Sequence, residues 1–238
     1  MEYRIKDIVD TAVGSGKKIR LTVRAFGSPV QHKIKLILGA ILDHFQCGAL
    51  LNPLHTCIME LLNNALKANY KNVYFENYHP KNIGTSSIDY LTALQLFKLE
   101  IAREDKLIQN MAKAKNMYAD IVFRLFGDSL YISVTNPVQM THDEFLNVTN
   151  KLDAARNCAN LTDYFLLNEH DPFREGAGLG LVLIMMILRS MGGDLSNLAI
   201  RSENSLTVAS IIIPLNERTL RHYNERIADA AVSINGAY

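Results

Sequence analysis

The chain has 238 residues, 48% of them hydrophobic, and a formal net charge of +1. It can bury one substantial core, and its near-neutral charge gives no sign of a nucleic-acid or membrane-surface partner. Three widely spaced cysteines argue against a disulfide scaffold or a zinc site, and the N-terminus lacks the apolar centre of a secretory signal. The longest apolar run, residues 179–188, falls short of the roughly 20 residues that span a bilayer, so we expect a soluble cytoplasmic protein.

The first elements predicted along the chain are a helix, a strand and two further helices. Apolar residues recur at helical spacing over residues 3–13, and an alternating pattern at 19–26 predicts a strand. A helix is expected over 31–46. Asn52-Pro53 then provides a cap and a first-turn proline for a helix that should run to about residue 69. We expect a strand at 73–77 after it, and we interpret residues 1–50 as an N-terminal helix and strand extension.

The second half of the chain carries the signals of a sheet. Residues 86–116 predict one long polar helix, which we interpret as an insertion. Two strand-like stretches, 119–126 and 130–135, flank Gly127-Asp128 and predict a β-hairpin. A further strand is expected at 208–215, and residues 216–238 form a polar tail with a helical middle.

Three polar residues share one face of the helix that follows Asn52-Pro53. Glu60, Asn64 and Lys67 lie at positions i, i+4 and i+7. They present a carboxylate, an amide oxygen and an ammonium group, which are the groups that a magnesium–triphosphate needs. The alternative is a surface glutamate that pairs with Asn64 or Lys67, and without a second motif we would favour it.

The second motif is the glycine-rich sequence GAGLGL at residues 176–181, which opens a long apolar run. Glycine allows a ligand to approach the main chain, and the N-terminus of the helix beyond it favours an anion. A helix-start turn with tight packing would explain the glycines equally well. The segment is not a dinucleotide-binding fingerprint, because Leu181 stands where that motif needs glycine.

Residues 60–67 and 176–181 together resemble the N box and the second glycine box of the histidine-kinase-like (GHKL) ATPases. The resemblance covers residues 50 to 215 and is closest to the catalytic ATP-binding domain of sensor histidine kinases. It implies an α/β sandwich with a mixed, mostly antiparallel sheet and helices on one face. It also implies an ATP-binding domain at 51–215, with the insertion at about 86–116 and a lid at about 137–175, before the tail at 216–238.

The resemblance implies ATP and Mg²⁺ as cofactors and gives each motif residue a role. Glu60 would activate or orient the attacking group, Asn64 would be the Mg²⁺ ligand, and Lys67 would contact a phosphate. The residues expected to contact the nucleotide through the glycine box and the phenylalanine before it are Gly176, Gly178, Gly180, Leu181 and Phe173.

The adenine end of the expected site departs from the family pattern. Where the family ends a strand with an aspartate followed by glycines, this chain has Asn136-Pro137, which also reads as a simple turn. An amide oxygen still accepts a hydrogen bond from the adenine amino group, but without the charge that strengthens it. Thr207 matches a late threonine near adenine and is equally explained as a strand residue.

Two functions from different classes follow from the resemblance. The first is a protein kinase that transfers the ATP γ-phosphoryl to a histidine or serine of a partner protein. The second is a nucleotide-gated binding module of the partner-switching or anti-sigma type with little turnover. The implied partners are a response regulator, a phosphoacceptor or a regulated factor, and a homodimer is compatible with either function.

Overall fold

The computed structural model describes residues 2–78, 87–102, 106–158, 162–164 and 179–235. Its helices are α1 (Glu2–Ser15), α2 (Ser28–His44), α3 (Leu51–Tyr78), α4 (Ser87–Ala102), α5 (Lys106–Ala114), α6 (His142–Arg156), α7 (Leu179–Ser190) and α8 (Glu217–Asn235). Its strands are β1 (Ile19–Val23), β2 (Ala119–Phe126), β3 (Ser129–Asn136), β4 (Leu198–Glu203) and β5 (Leu206–Pro214). None of the described helices combines the length and apolar character needed to cross a membrane.

The strands form one sheet in the order β1-β2-β3-β5-β4. Every pairing among the described strands is antiparallel, whereas a mixed sheet was expected. Two pairs, β2–β3 and β4–β5, are hairpins joined by two-residue turns, which allow only antiparallel pairing. The predicted hairpin at 119–135 is confirmed, and the protein has an α+β fold.

The described helices cover one face of this sheet. Side chains alternate between the two faces of a strand, so a row of residues across the sheet shares one environment. One row, Phe123, Ile132 and Ile211, is fully buried and belongs to the hydrophobic core. In the next row Arg124 and Ile212 are exposed. The core therefore lies between the sheet and the helices, with α3 packed across β2 and β3.

The N-terminal segment contributes to the same sheet and core. Strand β1 pairs with β2 from Ile19↔Phe123 to Val23↔Ala119. Helix α2 buries Ile34, Leu38 and other apolar residues in the cluster that also contains the core of α3. The segment that was interpreted as an extension thus supplies an edge strand and part of the helical layer.

One helix prediction differs from the structure, and a second is tested only in part. Helix α3 continues to Tyr78, so the strand expected at 73–77 is wrong: Val73 and Tyr74 are buried, and the Tyr74 ring lies 5.5 Å from the ring of Phe97 in α4. Within the helix expected over 86–116 the structure describes α4 and α5, and residues 103–105 between them lie outside the described residues, so one continuous helix stays a prediction. At 73–77 the apolar side chains pack against a neighbouring helix, which decides between helix and strand where the residue pattern alone does not.

Candidate functional site

Glu60, Asn64 and Lys67 lie on the side of α3 that faces away from the core, as their spacing predicts. Asn64 and Lys67 are exposed, and Glu60 is half-buried. Within the described part of the chain, none of the three forms a hydrogen bond or an ion pair. The alternative interpretation was that Glu60 pairs with Asn64 or Lys67, and the structure shows no such pair.

The Glu60 carboxylate lies directly against the backbone of Gly180, in the first turn of α7. A Cβ atom built on Gly180 would overlap Oε2 of Glu60 and would stand 3.4 Å from its Cδ atom and 3.7 Å from its Cβ atom. Helices α3 and α7 are packed side by side, and Leu181 and Val182 are buried. The structure thus brings the end of the glycine box to the first residue of the N box.

The rest of the glycine box lies outside the described residues. The predicted contacts of Gly176, Gly178 and Phe173 with a nucleotide stay predictions for that reason. Leu181, which was also expected to contact nucleotide, is 9% exposed and belongs to the hydrophobic core. Its side chain anchors the start of α7, so a contact with the nucleotide would come through its backbone.

Asn136 and Thr207 are neighbours on adjacent strands. They are register partners at the end of the β3–β5 ladder, and Asn136 is 2% exposed. The Thr207 hydroxyl donates to the Val138 carbonyl oxygen at 2.6 Å, and Ser202 Oγ accepts from the Met140 backbone N–H at 2.7 Å. These bonds hold the segment that follows Asn136 against β4 and β5. The two residues expected at the adenine end therefore do lie together.

The sequence analysis missed Asn69, which connects α3 to this end of the sheet. Its Nδ2 atom donates to the Tyr118 carbonyl oxygen at 2.8 Å, and its Oδ1 atom accepts from Asn136 Nδ2 at 3.3 Å. Asn69 is 1% exposed. A buried amide is stable only when its polar atoms are paired, and Asn69 meets this condition at both ends of its amide. A polar residue on the core-facing side of an otherwise apolar helix was the available signal.

Helix α6, in the first half of the predicted lid, is attached to the rest of the protein at both ends. At its start, Thr141 and Glu144 form a capping box, and Glu144 accepts from Lys71 of α3 at 2.8 Å. Burial raises the pKa of Glu144, but the charge and hydrogen bond of Lys71 and the contacts with Thr141 outweigh it, so the pKa lies below its usual value. At its end, Arg189 of α7 donates to the carbonyl oxygens of Arg156 and Cys158. Helix α6 is thereby fixed to both helices that carry the candidate motifs.

Comparison with known proteins identifies no family. No family model matches the chain, and no solved structure matches it. The chain is similar to an uncharacterized protein of Treponema pallidum (strain Nichols), with 29% identity over 168 residues. The match covers 67% of this chain but only 30% of that protein, so the chain spans about a third of the relative's length.

Proposed function

We propose that the protein binds Mg-ATP between α3, α7 and the end of the β3–β5 ladder, and transfers the γ-phosphoryl to a histidine or serine of a partner protein. The observation that carries the proposal is the contact between the Glu60 carboxylate and the Gly180 backbone. It joins two motifs that are far apart in the sequence and that each resemble a phosphate-binding element of GHKL ATPases. A chance glycine at the start of α7 would not need to be opposite the first residue of the N box.

The polar groups around this contact fit a magnesium–triphosphate. Glu60 and Asn64 offer oxygen atoms, the donors that Mg²⁺ prefers, and neither is engaged by another described residue. Asn64 would hold the ion, which would neutralise charge on the phosphates. Lys67, one turn further along α3, supplies a cation for a phosphate oxygen. Glu60 would orient the attacking group of the partner or accept its proton.

The adenine end is supported by the placement of Asn136 beside Thr207. Both lie at the end of the β3–β5 ladder, where Asn136 is bonded to Asn69 of α3. A nucleotide that extends between them and the glycine box would pass along α3. The Asn136 amide gives this end a polar group that can read a base, and the Thr207 hydroxyl, which donates to the Val138 carbonyl oxygen, helps to shape it.

One observation favours the second function, a nucleotide-gated binding module with little turnover. Asn136 replaces the aspartate of the family pattern, and an uncharged acceptor binds the adenine amino group less strongly. In such a module, ATP would order the surface that a partner protein recognises, and hydrolysis would be unnecessary.

The first experiment is a thermal-shift titration with ATP, ADP and GTP, with and without Mg²⁺. A ligand that binds the native state raises the midpoint of unfolding by mass action. We expect a Mg²⁺-dependent shift with ATP and none with GTP. Asn64→Ala should remove the Mg²⁺ dependence, while Asn63→Ala, at the neighbouring position of the same helix, should leave it intact. The absence of a shift with every nucleotide at millimolar concentration would disprove the proposal.

The two functions are separated by Glu60→Ala. If the protein is a kinase, phosphoryl transfer and ATP hydrolysis should fall at least about 100-fold, the usual contribution of a positioned acid or base. If it is a binding module, ATP-dependent partner binding should survive the same change. Glu76→Ala is a matched control, because Glu76 lies on the same helix and pairs with Lys115 instead of facing α7.

A further inference from the structure

An asparagine at position 136 poses a problem that an aspartate does not. Both oxygens of a carboxylate accept hydrogen bonds, so its two orientations are equivalent. An amide has an acceptor at one end and a donor at the other, so which end faces the base decides whether it reads an amino group or a carbonyl. Something must fix the orientation of Asn136 if it is to recognise adenine.

The structure fixes that orientation through Asn69. The Tyr118 carbonyl oxygen can only accept, so the atom of Asn69 that lies 2.8 Å from it is the NH₂ group. The Oδ1 atom of Asn69 therefore faces Asn136, and the atom of Asn136 that lies 3.3 Å away must be its NH₂ group. The Oδ1 atom of Asn136 is therefore the end of its amide that Asn69 does not contact.

Turning either amide over is unfavourable. If Asn136 turned alone, its oxygen would face the oxygen of Asn69. If both turned, the oxygen of Asn69 would face the Tyr118 carbonyl. Asn69 and Asn136 are 1% and 2% exposed, so little water is available to bridge two acceptors, and a buried unpaired polar group is costly. One orientation of the pair is thus strongly preferred.

The free end of Asn136 has no partner of its own in the protein. Among the described residues no donor reaches its Oδ1 atom, and this atom is not one of the fully enclosed polar atoms that lack a partner, which are His55 Nε2 and the Tyr70 hydroxyl. The Oδ1 atom of Asn136 is therefore an unpaired acceptor that the described residues do not fully enclose.

We propose that Asn69 is a positioning residue that presents the Asn136 carbonyl oxygen to the nucleotide and so selects 6-aminopurines over 6-oxopurines. The inference rests on the proposed function and names the residue that sets its base specificity. An adenine amino group donates to the presented oxygen. A hypoxanthine or guanine carbonyl would place two acceptors opposite each other, and the fixed amide cannot turn to relieve this.

The test compares the dissociation constants of ATP and ITP, which differ only in the 6-substituent and in the N1 proton that accompanies it. Wild-type protein should bind ATP at least about tenfold more tightly than ITP, the discrimination expected from one unpaired buried acceptor. In Asn69→Leu the Asn136 amide is free to turn, so the ratio should fall to within about threefold. A ratio measured in one variant is insensitive to a general loss of stability.

The double variant Asn69→Leu/Asn136→Asp distinguishes positioning from support of the fold. A carboxylate accepts in both orientations, so it should restore the preference for ATP without Asn69. Asn72→Leu, on the same helix but paired with exposed Glu76, is the control and should leave the ratio unchanged. If Asn69→Leu does not fold, Asn69→Ser, which leaves space for water, takes its place in both variants.

Each possible result of these measurements either supports or overturns the inference. Equal binding of ATP and ITP by the wild-type protein would overturn the inference and leave the proposed function standing. So would a preserved preference in the Asn69 variant, or a double variant that binds ATP without regaining the preference. Failure to bind ATP, ADP and ITP would overturn the proposed function and this inference together.

Discussion

Replacing Gly180 by alanine tests the contact between the two candidate motifs. The new methyl group would overlap only Oε2 of Glu60, while Cδ and Cβ of Glu60 would stand at 3.4 and 3.7 Å. The carboxylate can turn aside, because it is the end of a flexible side chain. Such a rearrangement costs about 0.5–1.5 kcal/mol, and alanine regains about 0.5–1 kcal/mol over glycine in a helix. We expect the free energy of unfolding to change by less than about 1 kcal/mol.

The functional effect of Gly180→Ala should be much larger than this. A displaced Glu60 no longer orients the attacking group, so phosphate release from ATP should slow at least about 100-fold, with little change in the dissociation constant of ATP. Urea unfolding and steady-state phosphate release measure the two effects. Gly39→Ala is the control: its Cβ would meet only Leu51 Cδ1 at 4.0 Å, so it should leave turnover unchanged. Unchanged turnover in Gly180→Ala, or a stability loss above about 2 kcal/mol, would refute the reasoning.

Two further predictions concern the fold. Gly192 has a φ of +79°, and a Cβ there would stand 2.9 Å from the His222 ring, so Gly192→Ala should cost about 3 kcal/mol in urea unfolding. Gly127→Ala, with a φ of +62° in open space, should cost only the backbone strain of about 1–2 kcal/mol, and equal losses would contradict the packing argument. Burial raises the pKa of Asp120, but its bonds with Arg20 and Thr22 and the charge of Arg20 outweigh this, so the pKa lies below its usual value. The resulting stability is present above about pH 4 and is lost as the pH falls below it, so Thr22→Val should cost about 1.5 kcal/mol at pH 7 and less at pH 2.5. A cost that does not depend on pH would contradict the assignment.

The sequence alone predicts the parts of the site that depend on spacing along one element. Glu60, Asn64 and Lys67 share a helical face because residues four and seven apart lie above one another, whatever the rest of the protein does. The hairpin around Gly127-Asp128 follows from local turn chemistry in the same way. The end of α3 cannot be predicted in this way, because Val73 and Tyr74 suit a strand as well as a helix. The packing of Tyr74 on Phe97 decides that this segment is helical.

The spacing of residues along the chain does not predict contacts between distant segments. Asn69 owes its role to Tyr118, 49 residues away, and to Asn136, 67 residues away. An asparagine in a helix is usually a surface residue, so the core-facing position of Asn69 was its one local signal, and that position does not identify its partners. Only the resemblance to GHKL ATPases placed Glu60 and Gly180 in one expected site, and the direct contact between them was not predicted.

The order of the strands has a consequence for how the chain folds. The hairpin of β2 and β3 is local and can form early, but its two flanking strands come from opposite directions along the chain. Arg20 of β1 meets Asp120 across 100 residues, and Thr207 of β5 meets Val138 across 69. The pairing of β1 with β2 and of β5 with β3 requires segments that are far apart in the chain to come together. Folding should therefore be slow, on the millisecond-to-second scale of chains with many non-local contacts. During synthesis, α1 to α3 would therefore be made well before the sheet that covers them, and their apolar faces would need protection until β5 is available.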